Sequence, residues 1–263
     1  MKNFIKIIIS FVFLFTVAAQ AENVEIKVGA TARPHAEILD FVKPMLAKKG
    51  IDLKIVIFQD YILPNKALDN GDLDANFYQH IQFLEEQMRT AGYKFEVLAR
   101  VHIEPMGIYS KKYKHIADVK AGSSLIMSNS VADRTRTLLL LEKAGLITFK
   151  DGVNKSVVDF NDIKSAKVEF KPEVDPAILS RMYLSDEADL VVINTNYAIE
   201  AGINPLSDAL VLEDKNSPYV NVLVSRADNA NNPALLELAK ALTSEETKKF
   251  IIDTYRGAVI PAK

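Results

Sequence analysis

Apolar positions recur along this chain with two periods, close to two and close to 3.6 residues, and the two alternate. Glu25 to Ala30 alternates apolar and polar and reads as a first core strand. Thr31 and Pro34 suit the opening of a helix, and Ile38, Val42, Met45 and Leu46 carry its apolar face as far as Gly50. Leu53 to Phe58 is a second strand, Pro64 to Asp69 a short helix, and Leu73 to Phe77 a third strand. Ile81, Leu84, Met88 and Ala91 mark a helix closed by Gly92, and Phe95 to Val101 a fourth strand. Strands alternating with helices predict an α/β fold with a mostly parallel sheet.

At Pro105 to Ser110 the rhythm breaks and then restarts. Ser124 to Met127, Val168 to Phe170 and Ala188 to Ile193 read as strands. Val131 to Ala144, Ala177 to Tyr183 and Asn196 to Ala201 read as helices. Tyr219 to Ser225 is apolar and rich in β-branched residues and is expected to cross back, and the tail from Asn232 to Tyr255 is expected to be helical. The pattern predicts two α/β lobes joined by two crossing strands, with residues 22–107 plus 226–263 in lobe 1 and residues 108–225 in lobe 2. In such a fold a ligand sits between the lobes and closes them.

Composition narrows the classes. The 263 residues are 49% hydrophobic and 25% charged, an ordinary globular balance. A formal net charge of −2 without a long basic run speaks against a nucleic-acid groove. Lys2 and Lys6, the apolar run Ile7 to Val17 and Ala19-Gln20-Ala21 read as a secretory signal peptide over residues 1–21, too short an apolar run to span a bilayer. Its loss takes the net charge from −2 to −4. With no cysteine, thiolate metal sites and Cys nucleophiles are excluded, and the four histidines show no metal-ligand spacing, so neither a metal nor a cofactor is expected.

The densest chemistry lies in Asn76-Phe77-Tyr78-Gln79-His80, where a strand passes into a helix, the place where α/β proteins gather small ligands. Several segments in order resemble a known family: Val28 to Thr31 with Pro34 to Ile38, Phe58 to Tyr61 with Pro64-Asn65, Asp74 to His80, and Gly107 to Lys112. Leu138 to Ile147 with Lys150 to Gly152, Ile193 to Ala198 and Glu213 to Asn221 continue the series. The chain is similar to the methionine-binding proteins of bacterial ABC importers, the NlpA/MetQ lipoprotein family. That resemblance implies a type II periplasmic binding fold, a free amino acid ligand with methionine first, and delivery by a monomeric receptor to a membrane permease and its ATPase. Another amino acid or a short methionine-containing peptide is the alternative ligand.

Two departures from the family pattern matter. Glu22 follows Ala21 where relatives carry a lipid-bearing cysteine, so a soluble periplasmic protein is expected. At the family's Pro-Asn-Asp…Asn-x-Gly-Arg segment this chain keeps Asn129 and Arg136 but has Ser130, Asp133 and Thr135 in place of Asp, Asn and Gly. The ligand-facing start of that helix is therefore altered.

The resemblance and the residue chemistry together name the candidates. Arg136 offers paired donors to a ligand carboxylate, unless Asp133 one turn back neutralises it; Arg134 is the other partner available to Asp133. Tyr78, Phe58 and Tyr61 are candidates for a thioether pocket, with core packing the alternative for each. Strand alternation leaves Phe77 to the core if Tyr78 faces the ligand. His80 is placed to donate to the ligand or pack against it, whereas His35 reads as a helix-start residue. Asn129, Asn194 and Asn221 carry amides suited to a zwitterion, against helix capping for Asn194 and a strand hydrogen bond for Asn221. The competing classes are an exported hydrolase, for which no G-x-S-x-G elbow is present, and a surface adhesin, which needs an anchor that is not found.

Overall fold

The computed structural model describes residues 23–263, so the signal-peptide reading of residues 1–21 and the Glu22 departure lie outside the described residues. In chain order the first unit comprises β1 (Val24–Thr31), α1 (Glu37–Ala47), β2 (Ile51–Phe58), α2 (Leu63–Asp69), β3 (Ala75–His80), α3 (Ile81–Ala91) and β4 (Phe95–Ile103). The second runs through β5 (Gly107–Tyr109), β6 (Ser123–Ile126), α4 (Val131–Lys143), β7 (Ile147–Phe149), β8 (Ile163–Ala166), β9 (Val168–Phe170), α5 (Pro176–Leu184), β10 (Leu190–Ile193), α6 (Thr195–Glu200), α7 (Pro205–Asp208) and β11 (Ala209–Leu212). The chain then returns to the first unit with β12 (Val220–Arg226), α8 (Pro233–Leu242), α9 (Glu245–Tyr255) and β13 (Ile260–Pro261).

Two sheets result, ordered β13-β4-β12-β3-β1-β2 and β11-β5-β10-β6-β9, with β7 and β8 forming a separate hairpin. The α/β, two-lobed expectation holds, but the sheets are mixed. β12 runs antiparallel to both β3 and β4, and β5 antiparallel to β10 and β11. Residues 220–225, expected in lobe 2 as a crossing, instead lie in the middle of the first sheet. The reason is their burial: Val222, Leu223 and Val224 are fully buried and need a covered sheet interior, which a crossing strand does not provide. The chain actually passes between sheets at residues 104–106 and 213–219. Gly107–Tyr109, expected within the first crossing, is a strand of the second sheet.

The first core gathers Val28, Ile38, Leu39, Leu53, Phe77 and Leu223 with the inner faces of α8 and α9. The C-terminal helical tail is broken into two, because Ser244 caps α9 by accepting from the Thr247 N–H. The second lobe has its own core around Met127, Leu138, Leu141 and Leu190. Among the described residues no helix is long and apolar enough to cross a membrane.

Candidate ligand site between the lobes

Sheet register brings three polar residues side by side. Asn221 of β12 stands opposite His80 on β3 and opposite His102 on β4. Next to them the β12–β3 pairing slips: Val222 faces Gln79 and Leu223 faces Phe77, so Tyr78 has no partner. Such a bulge re-aims a side chain. Phe77 joins the core, edge-on to His35 at 4.8 Å, while Tyr78 turns to the other side and donates to the Tyr61 carbonyl at 2.9 Å.

A cavity between the lobes is lined by Tyr61, Tyr78, His80, Arg136, Asn194 and Asn221 from the candidates above, with Gln79, Phe83, Glu104, Asp133, Thr195 and Asn196 added. Six of the eight sequence candidates therefore converge. Phe58 does not. Its ring packs against Leu68 and Leu73 over Gly29, where a β-carbon would meet Leu73 Cδ1 at 2.6 Å and Phe58 Cε2 at 3.0 Å. Without a side chain at Gly29 the ring drops into the core. Asn129 is exposed and lines a second, outer cavity with Ser130, Val131 and Asp175, which shares Tyr61 and Phe83 with the inner one.

The polar half of the inner cavity is held by buried hydrogen bonds. Arg136 donates through Nε to Glu213 at 2.8 Å and through Nη2 to both Glu213 and the Glu104 carbonyl. Its guanidinium stacks 4.6 Å over the Tyr219 ring. The Asp133 alternative is partly realised, at 3.8 Å from Arg136. Arg134 does not serve Asp133: it pairs with Glu173 at 3.1 Å and stands over Phe160. Asp133 instead meets the His80 ring at 3.0 Å and accepts from the Asn194 amide at 3.0 Å. Asn194 occupies the N-cap position of α6, yet its side chain makes no capping bond.

Beneath the cavity lies a cluster that no sequence spacing announces. His35 Nδ1 meets Thr31 Oγ at 2.7 Å, and its Nε2 meets Asn221 at 3.1 Å and Glu104 at 3.3 Å. His102 Nε2 meets the same Glu104 oxygen at 2.8 Å. The other Glu104 oxygen accepts the Asn196 backbone N–H at 3.0 Å. His35 is thus a buried structural partner of the site, and Thr31, expected to cap a helix, spends its hydroxyl on that ring. Burial pushes His35 down to about 4 and His102 to about 3, and pushes Glu104 up. His35, His102 and Glu104 are the metal-ligand grouping among the described residues, with donor atoms within 4.8 Å. Hydrogen bonding among them already accounts for the arrangement, and its effect is to fix the Glu104 carboxylate in the cavity wall.

Tyr61 and Tyr197 tie the lobes across the cleft, Tyr61 by donating to Asn196 Oδ1 at 2.6 Å and Tyr197 by donating to the Gln59 carbonyl at 3.3 Å. The site can therefore enclose a small molecule with an apolar end against Tyr61, Tyr78 and Phe83 and a polar end against Arg136, Glu104 and the asparagines.

Comparison with known proteins bears on the family and the fold. The chain is 41% identical over 247 residues to the methionine-binding lipoprotein MetQ of Bacillus subtilis, covering 92% of this chain and 90% of the relative. It is 34% identical to the D-methionine-binding lipoprotein MetQ of Salmonella typhi, covering 89% of this chain and 87% of that one. A nutrient-binding protein of Burkholderia cenocepacia, solved bound to methionine, superposes with a TM-score of 0.84 at 37% identity, covering 90% of this chain and 100% of that one. The two-lobed α/β architecture is that of these substrate-binding proteins. The sequence model of the NlpA lipoprotein family matches residues 26–263, and the chain belongs to that family.

Proposed function

We propose that this protein is a periplasmic substrate-binding protein that captures methionine, or a small compound built on it, and delivers it to a membrane permease with its ATPase. The observation that carries the reading is the division of the inner cavity: three aromatic rings at one end, and at the other a single guanidinium among buried amides and carboxylates. Aromatic faces suit a thioether, with sulfur contacts worth roughly 0.3–1.5 kcal/mol each. Arg136, Asn194 and Asn221 orient the polar end, and His80 joins β3 to that group through Asp133. The names of the relatives and the methionine in the Burkholderia structure support the same ligand class. The role asks for capture and release, and the cross-lobe tyrosines are placed to make and break contacts as the lobes move.

Mass spectrometry of what is released on denaturing freshly purified protein tests the reading. Methionine or a methionine-containing compound is expected; an unrelated metabolite would overturn it. Arg136→Ala is expected to weaken ligand binding at least about tenfold by calorimetry, since truncating one member of a buried charge pair costs ~2–5 kcal/mol.

A further inference from the structure

Asp133 sits in the first turn of α4 with 1% of its surface exposed, in the wall of the inner cavity. Donors from three separate elements converge on its carboxylate. His80, at the end of β3, meets one oxygen at 3.0 Å, and the Asn194 amide, after β10, donates to the other at 3.0 Å. Arg136 approaches the first oxygen at 3.8 Å. These are the groups that a ligand carboxylate would need: a guanidinium and two further donors around a planar pair of oxygens. Burial pushes the Asp133 carboxyl up, but the hydrogen bonds from His80 and Asn194 and the Arg136 charge outweigh it and hold it below the usual carboxylate range. A second carboxylate brought to the same donors would face this charge in a site with little water, where like charges cannot both stay ionised cheaply.

The unmet hydrogen-bonding groups of the wall point the same way. By turning its nitrogen to Asp133, Asn194 leaves its oxygen buried without a partner, and Asn196 leaves its amide nitrogen buried without one. Among the fully buried atoms of the wall these leave one open acceptor and one open donor, which a neutral amide can meet. Arg136 has its charge answered by Glu213 and Asp133, with Glu104 alongside.

We propose that Asp133 is an internal carboxylate standing where a bound amino acid would place its own, and that the site therefore selects methionine with its carboxyl group neutralised, as an amide or the first residue of a short peptide. This rests on the receptor reading above and specifies its substrate class. Asp133 is then the specificity-determining residue.

Calorimetry near neutral pH with L-methionine and L-methioninamide, on the wild type and on the isosteric Asp133→Asn, tests it. The wild type is expected to hold the amide about tenfold or more tighter than the free acid, and Asp133→Asn to shift that ratio about tenfold or more toward the acid, ~1.4 kcal/mol per factor of ten. If the variant does not fold, the wild-type ratio decides alone. Methionine bound by the wild type as tightly as methioninamide would overturn the role of Asp133 and leave the receptor reading standing. Failure of both compounds to bind either protein would overturn the receptor reading and this inference with it.

Discussion

Glu104 and its two histidines show how single residues set the chemistry of the cleft. Both imidazoles stay neutral in the folded protein, His35 down to about 4 and His102 to about 3, whereas in the unfolded chain they take up protons near 6.5. The unfolded state therefore binds more protons across that window, and stability falls as pH drops from about 6.5 toward 4. Glu104, pushed up by burial, works in the opposite sense and offsets part of one histidine. The expected outcome is a lower urea midpoint at pH ~4.5 than at neutrality. In His102→Gln the slope should be shallower by up to one proton, ~1.4 kcal/mol per pH unit; a slope equal to the wild type would rule out this assignment. His35 and His102 could not be placed by reading the chain, because 67 residues separate them and only the pairing of β4 with β12, and of β1 with its neighbours, brings their rings within 4.9 Å. His80, Asn194 and Arg136, by contrast, were legible: His80 from its place where a strand passes into a helix, Asn194 and Arg136 from segments that resemble the family's own.

At the scale of elements, α2 is locked to β3 by three buried amides. Asn65 donates to Gln79 at 3.0 Å and its oxygen accepts from Asn76 at 2.9 Å and from Gln79 at 2.8 Å. This network holds the segment that carries Tyr61 against the strand that carries Tyr78. Asn65→Ala leaves the Gln79 oxygen without its donor in a dry site, while the Asn76 amide keeps the Pro64 carbonyl and the Gln79 amide keeps Asn76; a loss of about 1–3 kcal/mol is expected from urea unfolding, the cost of one orphaned buried group. The strand–helix alternation made β1 to β4 and their helices readable in advance. The bulge at Tyr78 was not, since it depends on which strand pairs with β3 and in what register. The same blindness placed β12 in the wrong lobe: an apolar run predicts a strand but says nothing about its neighbours.

At the scale of the whole molecule, the two lobes are joined by residues 104–106 and 213–219, and both segments carry groups that hold Arg136, namely the Glu104 carbonyl and the Glu213 carboxylate. Lobe closure and the polar end of the site are thus mechanically linked. Tyr61→Phe keeps the aromatic wall but removes the bond to Asn196 across the cleft. A loss of about three- to tenfold in ligand affinity is expected by calorimetry, in line with one neutral hydrogen bond of ~0.5–1.5 kcal/mol. Unaltered affinity would mean that this bond does not contribute to the closed state.

The position of β12 has one more consequence, for biosynthesis. On the ribosome β3 and β4 emerge well before Val220–Arg226, the strand that must slot between them, while all the strands of the second sheet are complete by Leu212. The first lobe is therefore left with a gap at its centre, and two unsatisfied strand edges, until Val220–Arg226 has been made. Such edges invite wrong partners. A nascent chain cut short before residue 220 should give a second lobe able to collapse on its own core and a first lobe that chaperones must hold.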